Sequence, residues 1–188
     1  MNAHGADSAR LEEQALEWIE PYWNARHLVQ TREWLLVLDP EAGEALRLAA
    51  LTHDMERHVP GGPVHDPARF APDDDDYRRA HSERSARIVG EWLRERGAAD
   101  GLVGEVERLV LAHEVGGAED EDLLQAADSI SFLETNVELV VRWAAEGRCS
   151  RERAKAQHRW MFERIKIERA RNLARPLYEE AIAAVDAA

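Results

Sequence analysis

Apolar residues recur along this chain every three or four positions. No stretch alternates apolar and polar residues with the Val, Ile and Thr content of a strand. The pattern predicts an all-α fold of about seven to eight helices. A first helix over about 8–20 carries the stripe Leu11, Ala15, Trp18 and Ile19 and is broken by Pro21. A second covers about 22–38 and stops ahead of Pro40, since the residue before a proline disfavours helix. A third covers about 41–57, with Leu46, Ala49, Ala50 and His53 on one side. The segment 59–72 holds four prolines and two glycines and reads as a long loop, either the cover of a site or a solvated connection.

Beyond that loop the acid run Asp73 to Asp76 sets negative charge where the next helix dipole favours it. Helix four covers about 73–96 and stops at Gly97; helix five covers about 102–114 and stops at Gly116-Gly117. Helix six covers about 120–146 and stops at Gly147. Helix seven covers about 150–174 from a Ser150 cap, and Pro176 opens a short last helix. Neither a repeat nor a low-complexity linker interrupts the series. The expectation is one helical domain over 1–188, with a core at about 20–145 and the helices of 150–186 lying on it.

Composition narrows the function more than the fold. The 188 residues are 45% hydrophobic and 32% charged, with a formal net charge of −13. Such a chain is globular, and its field opposes general nucleic-acid binding and docking on anionic membranes. Apolar runs such as 35–38 fall far short of the roughly 20 residues that span a bilayer. No apolar signal core occupies residues 1–10, so a cytoplasmic location is expected. The single cysteine, Cys149, excludes an intrachain disulfide framework and a cysteine-rich zinc site.

The eight histidines carry the chemistry. His53-Asp54 lies toward the apolar side of helix three, and an ionised Asp there is costly without a cation or a pair. His27 follows Trp23 by four and precedes Trp34 by seven, on the inward stripe of helix two. His81 shares a face with Ser85, Ile88 and Trp92, and His113 follows Val106, Leu109 and Val110 at helical spacing. Asp128 sits four from both Leu124 and Phe132. Five successive helices thus each aim a His, an Asp or both inward. Four imidazoles and two carboxylates on separate helices suit a divalent-metal centre inside a bundle.

The order His27, His53-Asp54, His81, His113, Asp128 resembles the H…HD…H…H…D pattern of the HD-domain metal-dependent phosphohydrolase superfamily, over roughly residues 20–145. The resemblance implies an all-helical core and a binuclear centre. One ion would be held by His27, His53, Asp54 and Asp128, and a second by Asp54, His81 and His113, with Asp54 bridging. Transition metals (Mn, Fe, Co, Ni or Zn) suit such ligands better than Mg. The pair is followed here by Met-Glu-Arg-His. The glycine and lysine, the GYP signature and the double histidine of cyclic-dinucleotide phosphodiesterases are missing.

Asp54, Glu56 and Glu114 are the catalytic candidates, with Glu83 as a further acid; Arg57, Arg84, His81 and His113 are the candidates for substrate binding. Arg84 follows His81 by three, on the same helical side. His65-Asp66 lies in the loop, outside any predicted helix, and reads as part of a lid or as chance; His4 and His158 receive no role. Trp18, Trp34, Trp92, Trp143 and Trp160 read as core or interface. The resemblance implies hydrolysis of a phosphate ester or anhydride in a small molecule or nucleotide by metal-activated water. The alternative is a mixed-valent di-iron oxygenase of the same ligand set. The 15-residue step from His113 to Asp128 resembles the hydrolases more closely. A homodimer is compatible with a helical enzyme of this size, and no interface is legible.

Overall fold

The computed structural model describes residues 3–67 and 74–188, with side chains from Arg10 onward. Among the described residues the chain is helical throughout, with no strand. The elements are α1 (Ala3–Ile19), α2 (Ala25–Leu38), α3 (Glu44–Thr52), α4 (Asp75–Glu95), α5 (Asp100–Ala112), α6 (Glu119–Thr135), α7 (Val137–Ala145), α8 (Arg151–Glu163) and α9 (Glu168–Ala187). A short 3-10 turn, Met55–His58, follows α3. No helix among the described residues is long and apolar enough to cross a membrane.

Helix α6 is the axis of the molecule. Its residues from Leu124 to Ser131 are buried all round, as a central helix requires. Helix α2 packs along one side of it, α8 and α9 cover another, and α3 reaches it from the α5 side. Helices α4 and α5 pair with each other, and α5 closes on α3. Leu28 and Leu35 of α2, Leu48 and Leu51 of α3, Leu109 of α5 and Leu124 and Ile130 of α6 are completely buried in one shared core.

Local chemistry explains most boundaries. Asp74 caps α4 by accepting from the Tyr77 amide at 3.0 Å, and Asp75 and Asp76 sit in the first turn paired with Arg78 and Arg79. Ser150 caps α8 by accepting from the Arg153 amide at 3.1 Å. Gly97, Gly116 and Gly147 end their helices in the left-handed region that a side chain disfavours. The end of the 59–72 loop and the start of helix four at Asp73 lie outside the described residues.

Several boundaries differ from the periodicity, among them the starts of α2 at Ala25 and of α3 at Glu44. The expected helix over 41–57 is shorter, because Thr52 closes α3 and Asp54 leaves helical geometry at φ −102° and ψ 5°. The expected helix over 120–146 breaks at Asn136, where the Thr135 hydroxyl bonds both the Ser131 carbonyl and the Asn136 side chain. The expected helix over 150–174 ends at Glu163, and the chain restarts as α9. Pro176 lies inside α9 rather than opening a helix. It removes one backbone hydrogen bond on an exposed face, while Ala170, Ala174, Ala181 and Val185 bury the other.

Candidate metal centre

His53 and His113 reach the centre by one device. Each is the C-cap of its helix, in right-handed helical geometry. Each ring bonds the carbonyl three residues back through Nδ1: His53 to Ala50 at 3.1 Å and His113 to Val110 at 2.6 Å. Carbonyls of a last helical turn lack intrahelical partners, so the ring satisfies one of them. His81, within α4, bonds Glu56 Oε1 at 2.9 Å through Nδ1. His27, in the first turn of α2, bonds Ser131 Oγ at 2.9 Å through Nδ1, and that hydroxyl donates to the His27 carbonyl at 2.8 Å.

These partners fix the tautomers. A carbonyl or carboxylate can only accept, and the Ser131 proton is already directed to a carbonyl. In their neutral form all four imidazoles therefore carry hydrogen on Nδ1 and present the Nε2 lone pair inward, as metal-binding histidines do. The four rings adjoin, with centroids 5.5 Å apart for His27–His53, 5.0 Å for His53–His113 and 5.3 Å for His81–His113.

The ligand atoms fall into two buried groups, His27, His53 and Asp128, and Asp54, His81 and His113, each with its atoms within 4.8 Å of one another. Asp128 Oδ1 lies 3.0 Å from His27 Nε2 and 3.5 Å from His53 Nε2; Asp54 Oδ1 lies 3.0 Å from His81 Nε2. The buried Nε2 atoms of His53 and His81 have no hydrogen-bond partner. A lone pair facing a carboxylate oxygen is repulsive unless a proton or a metal cation lies between them. Orphaned nitrogens, buried carboxylates and fixed tautomers suit a metal, and both groups could hold an ion. Asp54 groups with His81 and His113, and its other oxygen accepts from the Tyr22 hydroxyl at 3.2 Å.

Charge at the centre is balanced by arginines. Burial works against ionised Asp54, but Arg57, His81 and His53 hold its carboxyl well below the usual range. Arg57 Nε is 3.3 Å from Asp54 Oδ1. Burial likewise opposes ionised Asp128, and Arg164, His27 and His53 hold it low. Arg164 bonds Asp128 Oδ2, Glu114 Oε2 at 2.6 Å and Ser129 Oγ at 2.8 Å. Burial opposes ionised Glu114 as well, and Arg164, His113 and His81 together hold it below its usual range. Burial brings His113 down to about 4, whereas the carboxylates beside His53 and His81 raise both rings against the cost of burial.

A clasp sits behind His81. Glu56, almost completely buried, receives Arg84 Nη1 at 2.8 Å on its second oxygen. The same guanidinium donates to the carbonyls of Glu56, Val59 and Pro60 at 2.9, 3.1 and 2.7 Å. Gly62 lies against this pair so closely that a Cβ there would collide with both the Glu56 carboxylate and the Arg84 guanidinium. The Pro-Gly-Gly-Pro loop is thereby tied to His81, one of the candidate ligands.

One cavity opens over the candidate ligands and a second adjoins it. An inner one of about 90 Å³ is lined by His27, Asp54, Arg57, His113, Glu114, Asp128 and Arg164. An outer one of about 460 Å³ is lined by the loop from Val59 to Pro63 with Tyr77 and Arg148. Trp23, Arg57, His65, Leu139 and Trp143 line both.

The structure brings His27, His53, Asp54, His81, His113 and Asp128 together, with Glu56, Arg57 and Glu114 beside them. It places Arg84 in the clasp and outside both described cavity linings, and leaves Glu83 exposed. Trp143 and Trp160 line the inner cavity rather than only filling the core, and Trp23 is 63% exposed instead of lying on an inward stripe. Sequence reasoning passed over Arg164, Tyr22 and Ser131. Arg164 follows Trp160 by four, beside the histidine run's last carboxylate only in space.

The model of a family described as a domain of unknown function, DUF4202, matches residues 2–155. No curated protein and no solved structure matches the chain. With its match extending over most of the sequence, this chain belongs to the DUF4202 family.

Proposed function

We propose that the protein is a metal-dependent hydrolase of a phosphate ester or anhydride in a small molecule or nucleotide. The observation that carries this reading is the pair of adjoining buried His/Asp groups opening on one arginine-lined cavity. His27, His53 and Asp128 would hold one divalent transition ion, and Asp54, His81 and His113 a second. Bound there, such ions supply Lewis acidity and lower the pKa of a coordinated water toward neutrality. The ordered likeness to HD-domain phosphohydrolases supports the same chemistry.

The chain's own groups divide the remaining work. Arg57 lines both cavities and stands ready to hold an anionic group at the junction. Glu114 keeps Oε2 on Arg164 and turns Oε1 toward His113 Nε2 at 3.7 Å, which makes Oε1 the oxygen placed to take a proton in the cavity. Glu56 is a positioning residue, since both of its oxygens are engaged by His81 and Arg84. Three carboxylates and two guanidiniums line the inner cavity, so two dications would make its wall positive in a chain of net charge −13. An anionic substrate is favoured there.

The test is phosphate release from p-nitrophenyl phosphate and its bis ester by protein loaded with Mn, Fe, Co, Ni or Zn. Metal-dependent release that falls about 100-fold or more in Asp54→Ala and Asp128→Ala is expected. Metal loading without release from any phosphate ester or anhydride would contradict the proposal.

A further inference from the structure

The inner cavity of about 90 Å³ holds a phosphoryl group and little more, while the outer one of about 460 Å³ falls within the volume range of small-molecule sites. A substrate reacting at the ligands must leave its other half in the outer space. That half meets a wall quite unlike the inner one. Glu56 is the acid among the described lining residues, and Arg84 neutralises it. The rest of the described lining is aromatic rings, Pro-Gly backbone, aliphatic side chains and the cations Arg57 and Arg148.

Trp23 stands at the junction with most of its ring in solvent, 63% exposed. It belongs to the turn between α1 and α2, and its neighbour Tyr22 is buried and hydrogen-bonded to Asp54. Tyr22 meets the Trp23 ring edge-on at 5.4 Å, which fixes the ring's place one residue away from a ligand's partner. An indole held open at a cavity mouth loses hydrophobic burial and keeps a stacking surface. Trp143, on the same collar, already has His65 against it at 5.1 Å and Arg148 above it at 5.7 Å. Trp23 is thus the exposed ring of the collar.

We infer that Trp23 is the specificity-determining platform for a flat ring in the non-phosphate half of the substrate. The substrate class is a phosphate whose alcohol or anhydride partner carries an aromatic ring. The assignment rests on the phosphohydrolase reading of the inner site.

The experiment compares binding of a matched, non-hydrolysable pair to the purified metal-loaded protein by calorimetry: the methylene-phosphonate analogues of adenosine 5′-monophosphate and of ribose 5-phosphate. The ring-bearing analogue is expected to bind about tenfold tighter or more. Trp23→Ala should bring the two within about twofold, and Trp23→Phe should restore most of the preference. Because Trp23 is largely exposed, both variants should keep the wild-type melting temperature. Equal binding of the two analogues, or a preference that Trp23→Ala leaves intact, would overturn the inference. Hydrolysis of ribose 5-phosphate as fast as of adenosine 5′-monophosphate would also overturn it, with the phosphohydrolase reading untouched. A ring preference without phosphate release would count against that reading and not against the platform.

Discussion

The two ligand groups are chemically alike and built differently. His27 and Asp128 stand on α2 and α6, the two helices that pack along the molecule's axis, and His53 joins them from the end of α3. Asp54 sits in a turn, His113 at a helix end, and His81 alone of the second group lies within a helix. The first group is held by helix packing, a serine and the buried ion pair between Arg164 and Asp128. The second depends on a tyrosine hydroxyl, a buried glutamate and a loop drawn in by Arg84. Two packed helices therefore carry the first group, with Ser131 and Arg164 as its polar supports, and contacts reaching from a turn and a loop secure the second.

Removing a carboxylate ligand is the largest perturbation. Asp54→Ala is expected to abolish the second ion and spare the first, whereas Asp128→Ala should lose the first and also destabilise the fold, because Arg164 is left buried with one fewer anion. Metal analysis beside thermal melting separates the two effects. Loss of both ions in both variants would mean the groups act as one carboxylate-bridged unit.

The clasp gives the next largest effect. Glu56→Gln keeps an acceptor for His81 but weakens both bonds, and should lower second-site metal affinity about 10- to 100-fold. Gly62→Ala should act in the same direction by pushing the clasp apart. Cobalt titration followed by its visible spectrum reads the two sites separately. An equal loss at both would erase the distinction drawn above. Ser131→Ala, at the first group, is expected to cost less, roughly tenfold or under, since the His27 ring stays wedged against Phe132 and His53.

The smallest effect lies off the centre. His158 is fully buried with neither ring nitrogen partnered, and burial brings its pKa from 6.5 to about 4. The unfolded chain then binds the extra proton between these values, so His158 withdraws stability as pH falls from about 6.5 toward 4. His158→Leu should melt a few degrees higher than wild type near pH 5, with a smaller gain at pH 8. A gain of the same size at both values would contradict that reading.

Helical periodicity made the all-α fold and the inward histidines legible, because the helices around the central α6 each carry an apolar face. The glycine stops and the Ser150 cap were legible for the same local reason: they act on their own turn. Pro176 and Asn136 were not, since a proline costs one bond that packing can override, and a break at a threonine bonded back to the preceding turn leaves no mark in periodicity. Arg164 and Glu56 show the limit for the site. Both charged side chains are almost completely buried, which happens only because partners far along the chain meet them: Asp128 for one, His81 and Arg84 for the other. Such pairs are set by tertiary contact, and spacing along one helix does not reveal them.

Metal content of the untagged protein, purified without oxygen and set beside Asp54→Ala and Asp128→Ala, tests the central claim most directly. Two transition ions per chain, falling to one in Asp54→Ala, is the result expected from two separately built groups. A wild-type chain that binds no ion, even after reconstitution, would contradict the account.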